Sequence, residues 1–277
     1  MTATTRSETV ISADGTTIAY HTVGTGDSVI VVGGSLTTGE DYLALGQSLA
    51  PSFTVHLIDR RGRSASGPQG PGYSIDKECD DLLAVAAATG SKRVFGHSYG
   101  GLVALETARR SNDLTHVAVY EPGVSIDGSI PDRWMAEYAR LLAQGDTRGA
   151  FANMVKGGGF VPRGIEKLPL LYFRAILRLV IRKRRWRQIE PLLQTNLTEH
   201  QQVVRLDSTI DAYASIRAPV LLLGGSKSPE AISLQALKTL HHTIPNSTLE
   251  IIDGLDHFAP DEKAPNVIGT RLLQFLG

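Results

Sequence analysis

The sequence predicts an α/β protein. Short apolar, β-branched runs alternate with stretches of helical periodicity, the pattern of parallel strands joined by crossover helices. Several of those runs also end in glycine or an acidic residue, as strands do where they finish at a functional edge. "TTIAYHTV" alternates like a half-exposed strand before a Gly24-Thr25-Gly26 turn. "SVIVVGG", "FTVHLID", "RVFGHS", "HVAVYEP" and "PVLLLGG" then read as buried strands, and "TLEIID" as another near the end. Residues 40–50, 75–88, 102–110 and 264–276 carry apolar faces at helical spacing.

Between about 125 and 215 the alternation stops. "DRWMAEYARLLAQ", "GAFANMVKGG", "LLYFRAILRLVIRKRRWRQIEPLL" and "LTEHQQVVRL" are helical in pattern and hold no strand signal. A helical insertion after one core strand and before the next reads as a cap. The expected organisation is therefore a core of residues 1–124 and 216–277, with a helical cap over 125–215. With no Gly/Pro/Ser linker at either end, the cap is expected to pack on the core.

Bulk properties exclude several classes. The 277 residues balance 28 Lys and Arg against 28 Asp and Glu, so no overall field draws nucleic acid or membrane. The single cysteine, Cys79, can form no internal disulfide and no thiolate metal cluster. The first ten residues, "MTATTRSETV", lack the apolar core and cleavage site of a secretion signal. No run approaches the roughly 20 apolar residues that span a bilayer. The expectation is a soluble cytoplasmic protein with a small-molecule substrate, no nucleic-acid partner and no stable membrane insertion.

"GHSYGG" contains G-x-S-x-G centred on Ser98, after a strand-like run and before a helix-like one. That context outweighs the five letters, because a sharp strand-to-helix turn forces its central residue into a strained conformation and lifts the serine oxygen to the sheet edge. "GLDHFAP" supplies His257 after the last strand-like run. A serine hydroxyl is a poor nucleophile unless an imidazole takes its proton, and the same ring can protonate the leaving group.

With "VVGGSL" and "DRRGRSASG" added to these two segments, the chain resembles the α/β-hydrolase superfamily over nearly its whole length, and within it the helically capped bacterial serine hydrolases. The resemblance implies a mainly parallel eight-stranded sheet with helices on both faces, a helical cap and no cofactor or metal. It implies an oxyanion hole made by the backbone amides of Ser35 and Tyr99, with Gly34 and Leu36 beside the substrate. Many relatives have His-Gly where this chain has Gly33-Gly34, but the donor is a backbone amide and needs no side chain. "DRRGRSASG" is read as a structural turn held by pairing of Asp59 with its arginines.

The resemblance also raises a difficulty. Relatives place an acid a few residues after "LLLG", and "GGSKSPE" offers Lys227 there, which cannot orient or stabilise an imidazolium. Asp256 adjoins His257, but neighbouring side chains on an extended loop point apart. Glu230 fits the start of a helix, where a capping role competes. Glu121 ends the strand that directly follows the nucleophile helix and belongs beside the nucleophile strand. Geometry favours Glu121, and some lipases and fungal lactonases of the superfamily carry their acid after this strand.

The basic run "LRLVIRKRRWRQ" reads as the solvated face of one amphipathic cap helix, with an anionic membrane or an acidic substrate as the alternative. Its apolar residues suit the wall of a pocket. The expected function is a serine hydrolase cleaving an ester or lactone of a small, largely apolar substrate through an acyl-enzyme. The alternative is a ligand-binding or auxiliary protein of the same fold, a reading that only Lys227 favours.

Overall fold

The structure is a computed structural model that describes residues 5–159, 168–228 and 234–277. Its centre is one eight-stranded sheet in the order β1-β2-β4-β3-β5-β6-β7-β8. The strands are β1 (Arg6–Ile11), β2 (Thr17–Gly24), β3 (Asp27–Val32), β4 (Phe53–Asp59), β5 (Arg93–His97), β6 (His116–Tyr120), β7 (Val220–Gly225) and β8 (Ser247–Ile252). β3 to β8 run parallel; β2 is antiparallel to both its neighbours. The central strands β3, β5, β6 and β7 are buried almost throughout, which is why they read as continuous apolar runs.

Helices cover both faces. α2 (Ile75–Thr89), α3 (Tyr99–Arg110) and α9 (Leu234–Thr243) pack one apolar core, through residues such as Leu82, Leu102 and Leu237. α1 (Leu43–Leu49) and α10 (Pro265–Leu276) pack the other through Leu45, Leu49, Ile268 and Leu272. Both faces are therefore closed to water, as a parallel sheet requires.

Between β6 and β7 stand α4 (Met135–Ala143), α5 (Thr147–Gly157), α6 (Leu170–Val180), α7 (Lys183–Ile189) and α8 (Leu193–Arg205). They share a third core around Trp134, Tyr138, Phe151, Trp186 and Leu193, against which Leu36 of the β3 loop packs. The basic run expected as one helix is two. The chain turns at Ile181 and Arg182, whose ψ angles of 108° and 148° are extended, so the helix ends there and a second one starts after it.

Two further differences have plain causes. β1 alternates between exposed and half-buried positions at a sheet edge and carries no apolar run. α3 starts at Tyr99 and not at 102, because the turn at Ser98 passes straight into helix with no spacer.

Candidate active site

Strand register places the site. His97 of β5 pairs with Tyr120 of β6, and Tyr120 with Leu223 of β7. Ser98 and Glu121 are each the next residue, so both emerge at the same level of the sheet's carboxyl edge. Both have left-handed backbones, φ 53° at Ser98 and φ 44° at Glu121, in residues that do not favour that region. Neighbouring glycines make the Ser98 turn possible: a Cβ on Gly100 would stand 2.2 Å from the Val32 carbonyl, and one on Gly96 2.4 Å from that of Gly100. The Ser98 side chain caps no amide of α3.

His257 follows β8 on a loop that reaches back over this edge. Its Nδ1 lies 2.8 Å from Glu121 Oε2, with the carboxylate almost fully buried. Glu121 Oε1 accepts a 2.7 Å bond from the Gly225 amide and another from the Ser228 hydroxyl. "GGSKSPE" thus contributes two donors that hold Glu121, while the Lys227 side chain is exposed. The Asp256 carboxylate turns elsewhere, to Lys263 and to the Phe258 amide at 3.1 Å. Glu230 lies outside the described residues.

Tyr42 and His97, neither singled out from sequence, tie three parts of the site together. The Gly34 amide donates to the Tyr42 hydroxyl at 2.9 Å, and that hydroxyl lies 2.6 Å from His97 Nδ1. His97 Nε2 is 2.9 Å from the His257 carbonyl, an acceptor only, so Nε2 carries the proton and Nδ1 accepts from Tyr42. Burial, with the nearby His257, drives the His97 pKa well down and keeps the ring neutral. The only sequence signal was a histidine in the variable position of the serine motif; its partner Tyr42 is 55 residues away.

The "DRRGRSASG" turn is held differently from expectation. Asp59 does not pair with its neighbouring arginines; its carboxylate accepts from the Gly39 amide at 2.8 Å and lies 3.1 Å from His21 Nε2. Arg60 reaches Glu78 at 2.9 Å and Glu199 at 3.1 Å, Arg61 reaches Asp81 and Asp14, and Arg63 reaches Glu199 at 2.5 Å. The guanidinium groups find their acids in α2, in α8 and, for Asp14, in the turn between β1 and β2. Burial alone would raise the Glu199 pKa, but the Arg60 and Arg63 charges outweigh it and hold the carboxyl below its ordinary range.

That network grips the loop after β3. Arg60 Nε donates to the Gly33 carbonyl at 2.9 Å and Nη2 to the Gly34 carbonyl at 3.0 Å, where Thr37 Oγ1 also donates at 2.9 Å. A trans peptide is planar and its C=O and N–H point opposite ways. Anchoring the Gly34 carbonyl therefore fixes the direction of the Ser35 N–H. Among the described residues, neither the Ser35 nor the Tyr99 backbone N–H has a protein acceptor. Gly34 is pressed against the Ser98 turn: a Cβ there would be 3.1 Å from Ser98 Cβ.

These groups open on a cavity of about 680 Å³. Gly34, Ser35, Leu36, Ser98, Tyr99, Glu121 and His257 all line it. Its other wall comes from the inserted helices, with Trp134, Phe151 and Met154 among its apolar residues. Asp261, in a short π-helical turn after His257, also lines the cavity, and its pKa is pushed up to about 7 by burial and by the charge of Glu262. Cys79 is buried away from the cavity, and burial pushes its thiol up to about 12. No group of histidine, cysteine and acidic residues among the described residues could hold a metal, and none of their helices is long and apolar enough to cross a membrane.

A strained serine at a strand-to-helix turn, a histidine on the loop after the last strand and a carboxylate on that histidine thus stand together at one edge of the sheet. The chain belongs to the alpha/beta hydrolase family, whose pattern matches residues 29–268. An alpha/beta hydrolase of Sphaerobacter thermophilus is 31% identical, with 98% of this chain and 100% of that one superposed at a TM-score of 0.83. An uncharacterized hydrolase of Bacillus subtilis, YraK, is 30% identical over 117 residues, 40% of this chain and 43% of that protein's length. A thermophilic esterase of Thermogutta terrifontis shares the fold at 21% identity and a TM-score of 0.72, over 98% of each chain.

Proposed function

We propose that this protein is a serine hydrolase that cleaves an ester or lactone of a small, largely apolar substrate through an acyl-enzyme. One observation carries the reading: Ser98 on its strained turn, and His257 with Nδ1 2.8 Å from Glu121, line a single cavity with two uncommitted backbone amides. Ser98 Oγ attacks the substrate carbonyl carbon while His257 Nε2 takes its proton. The oxyanion so formed accepts from the amides of Ser35 and Tyr99. Collapse breaks the C–O bond, and the leaving alkoxide takes the proton from His257. A water then attacks the acyl-enzyme by the same route and releases the acid and free Ser98. Glu121 holds the ring with its proton on Nδ1 and stabilises the imidazolium.

Gly34 and Leu36 contact the substrate beside the hole, and residues 125–215 serve as a cap whose apolar side chains select the acyl or alcohol portion. An esterase of the same fold fits this reaction class. The test is a fluorophosphonate probe on wild type and Ser98→Ala. Labelling that maps to Ser98 and vanishes in the folded variant supports the reading; equal labelling of the variant rejects it.

A further inference from the structure

Helix α6 inverts the usual surface pattern. Phe173 is turned inward and buried, and Leu177 packs against the core of the inserted helices. The opposite face of a water-exposed helix is normally polar. Here it carries Leu171, Tyr172, Ile176, Leu179 and Val180, exposed by 73, 62, 41, 86 and 69%. With Ala175 they form two adjoining i, i+4 rows, 171–175–179 and 172–176–180, so the apolar surface is continuous and not a scatter of single residues.

Exposed cations lie within α6 and directly after it. Arg178, Arg182, Lys183, Arg184 and Arg187 are exposed, and none pairs with a carboxylate among the described residues. Arg174 and Arg185, by contrast, are tied to Asp146 and Asp41. Residues 170–187 contain no acidic residue at all, in a chain whose formal charge is zero. Val180 and Arg182 belong both to this outer face and to the cavity wall, so the cavity opens beside it.

An exposed apolar face edged by unpaired cations is complementary to an anionic bilayer, whose acyl boundary takes the apolar side chains while headgroup phosphates meet the guanidinium and ammonium groups. A symmetric contact between two copies would set five unpaired cations against five, which opposes self-association through this face. We infer that the α6–α7 face is a peripheral docking surface for an anionic lipid membrane, holding the cavity mouth toward the lipid. Binding is reversible and requires no spanning segment.

The test is sedimentation of the full chain with vesicles of phosphatidylcholine alone or mixed with phosphatidylglycerol. No turnover is needed, so its failure and the failure of the hydrolase reading are separate results. The protein should bind the mixed vesicles and not phosphatidylcholine alone. Lys183→Gln, Arg184→Gln and Arg187→Gln should each lower the partition coefficient about fivefold. Leu171→Ser combined with Leu179→Ser should lower it at least about tenfold with every charge in place. These side chains are exposed, and unchanged circular dichroism checks that the variants fold. Absence of binding to mixed vesicles, or binding that none of these substitutions weakens, overturns the proposal. So does a particle size that falls in the double-leucine variant without lipid, which would make the face a contact between copies.

Discussion

Glu121 Oε2 lies 2.8 Å from His257 Nδ1, while its other oxygen takes the Gly225 amide and the Ser228 hydroxyl. The two donors leave the carboxylate one orientation, with Oε2 on the ring. In Glu121→Gln the oxygen should keep Gly225 and Ser228, which turns the amide NH₂ toward Nδ1. The ring must then present a lone pair there and carry its proton on Nε2, the wrong tautomer for accepting from Ser98. Tautomer error and lost charge cost about four orders of magnitude in a well-studied triad, so turnover should fall at least about 100-fold. Steady-state kinetics checks this, with Asp256→Asn and Lys227→Ala expected to do far less.

Arg60 acts on the site through the Gly33 and Gly34 carbonyls. Arg60→Lys keeps a cation near Glu78 and Glu199 but cannot span both carbonyls. The Ser35 amide loses its fixed aim, and kcat should fall about tenfold or more with KM little changed, since a hole donor matters chiefly in the transition state. A fall in thermal stability with unchanged kcat would confine Arg60 to a structural role.

Tyr42→Phe removes the acceptor of the Gly34 amide and the donor to His97 in one step. Two buried polar groups lose their partner, at a cost of about 1–3 kcal/mol each. Urea denaturation should show that loss, and kcat should fall because the β3 loop and β5 are no longer linked.

Much of this was legible in the sequence. Continuous apolar runs betray strands buried on both faces, and the glycines around Ser98 betray a turn that tolerates no Cβ. The place of Glu121 level with Ser98 follows from counting one helix and one strand beyond Ser98, because parallel strands in register bring their ends together. What escaped was set by distant partners. Nothing local in "DRRGRSASG" says that Arg60 and Arg63 will find Glu199, 136 residues beyond Arg63. The Tyr42–His97 bond spans 55 residues and leaves no periodic trace. The break at Ile181 and Arg182 is equally silent, since the run contains neither proline nor glycine there.

Asp261 sets a pH dependence. Its native pKa, about 7, stands above the ordinary 3.8, so the folded state keeps a proton that the unfolded chain has released. Its stabilising contribution is complete below about pH 4 and is lost as pH rises through 7. Thermal melts should therefore show a downward slope between these values that is flatter in Asp261→Asn. A slope unchanged by the substitution would assign the proton uptake elsewhere.

Trapping the acyl-enzyme shows whether Ser98 is the nucleophile. The protein is mixed with a p-nitrophenyl ester, quenched in acid within the first turnover, and its intact mass and peptides are measured. A mass increase equal to the acyl group, located on Ser98, should appear together with one equivalent of released p-nitrophenol. Hydrolysis of the ester with no adduct at any quench time, or an adduct on a residue other than Ser98, would contradict it.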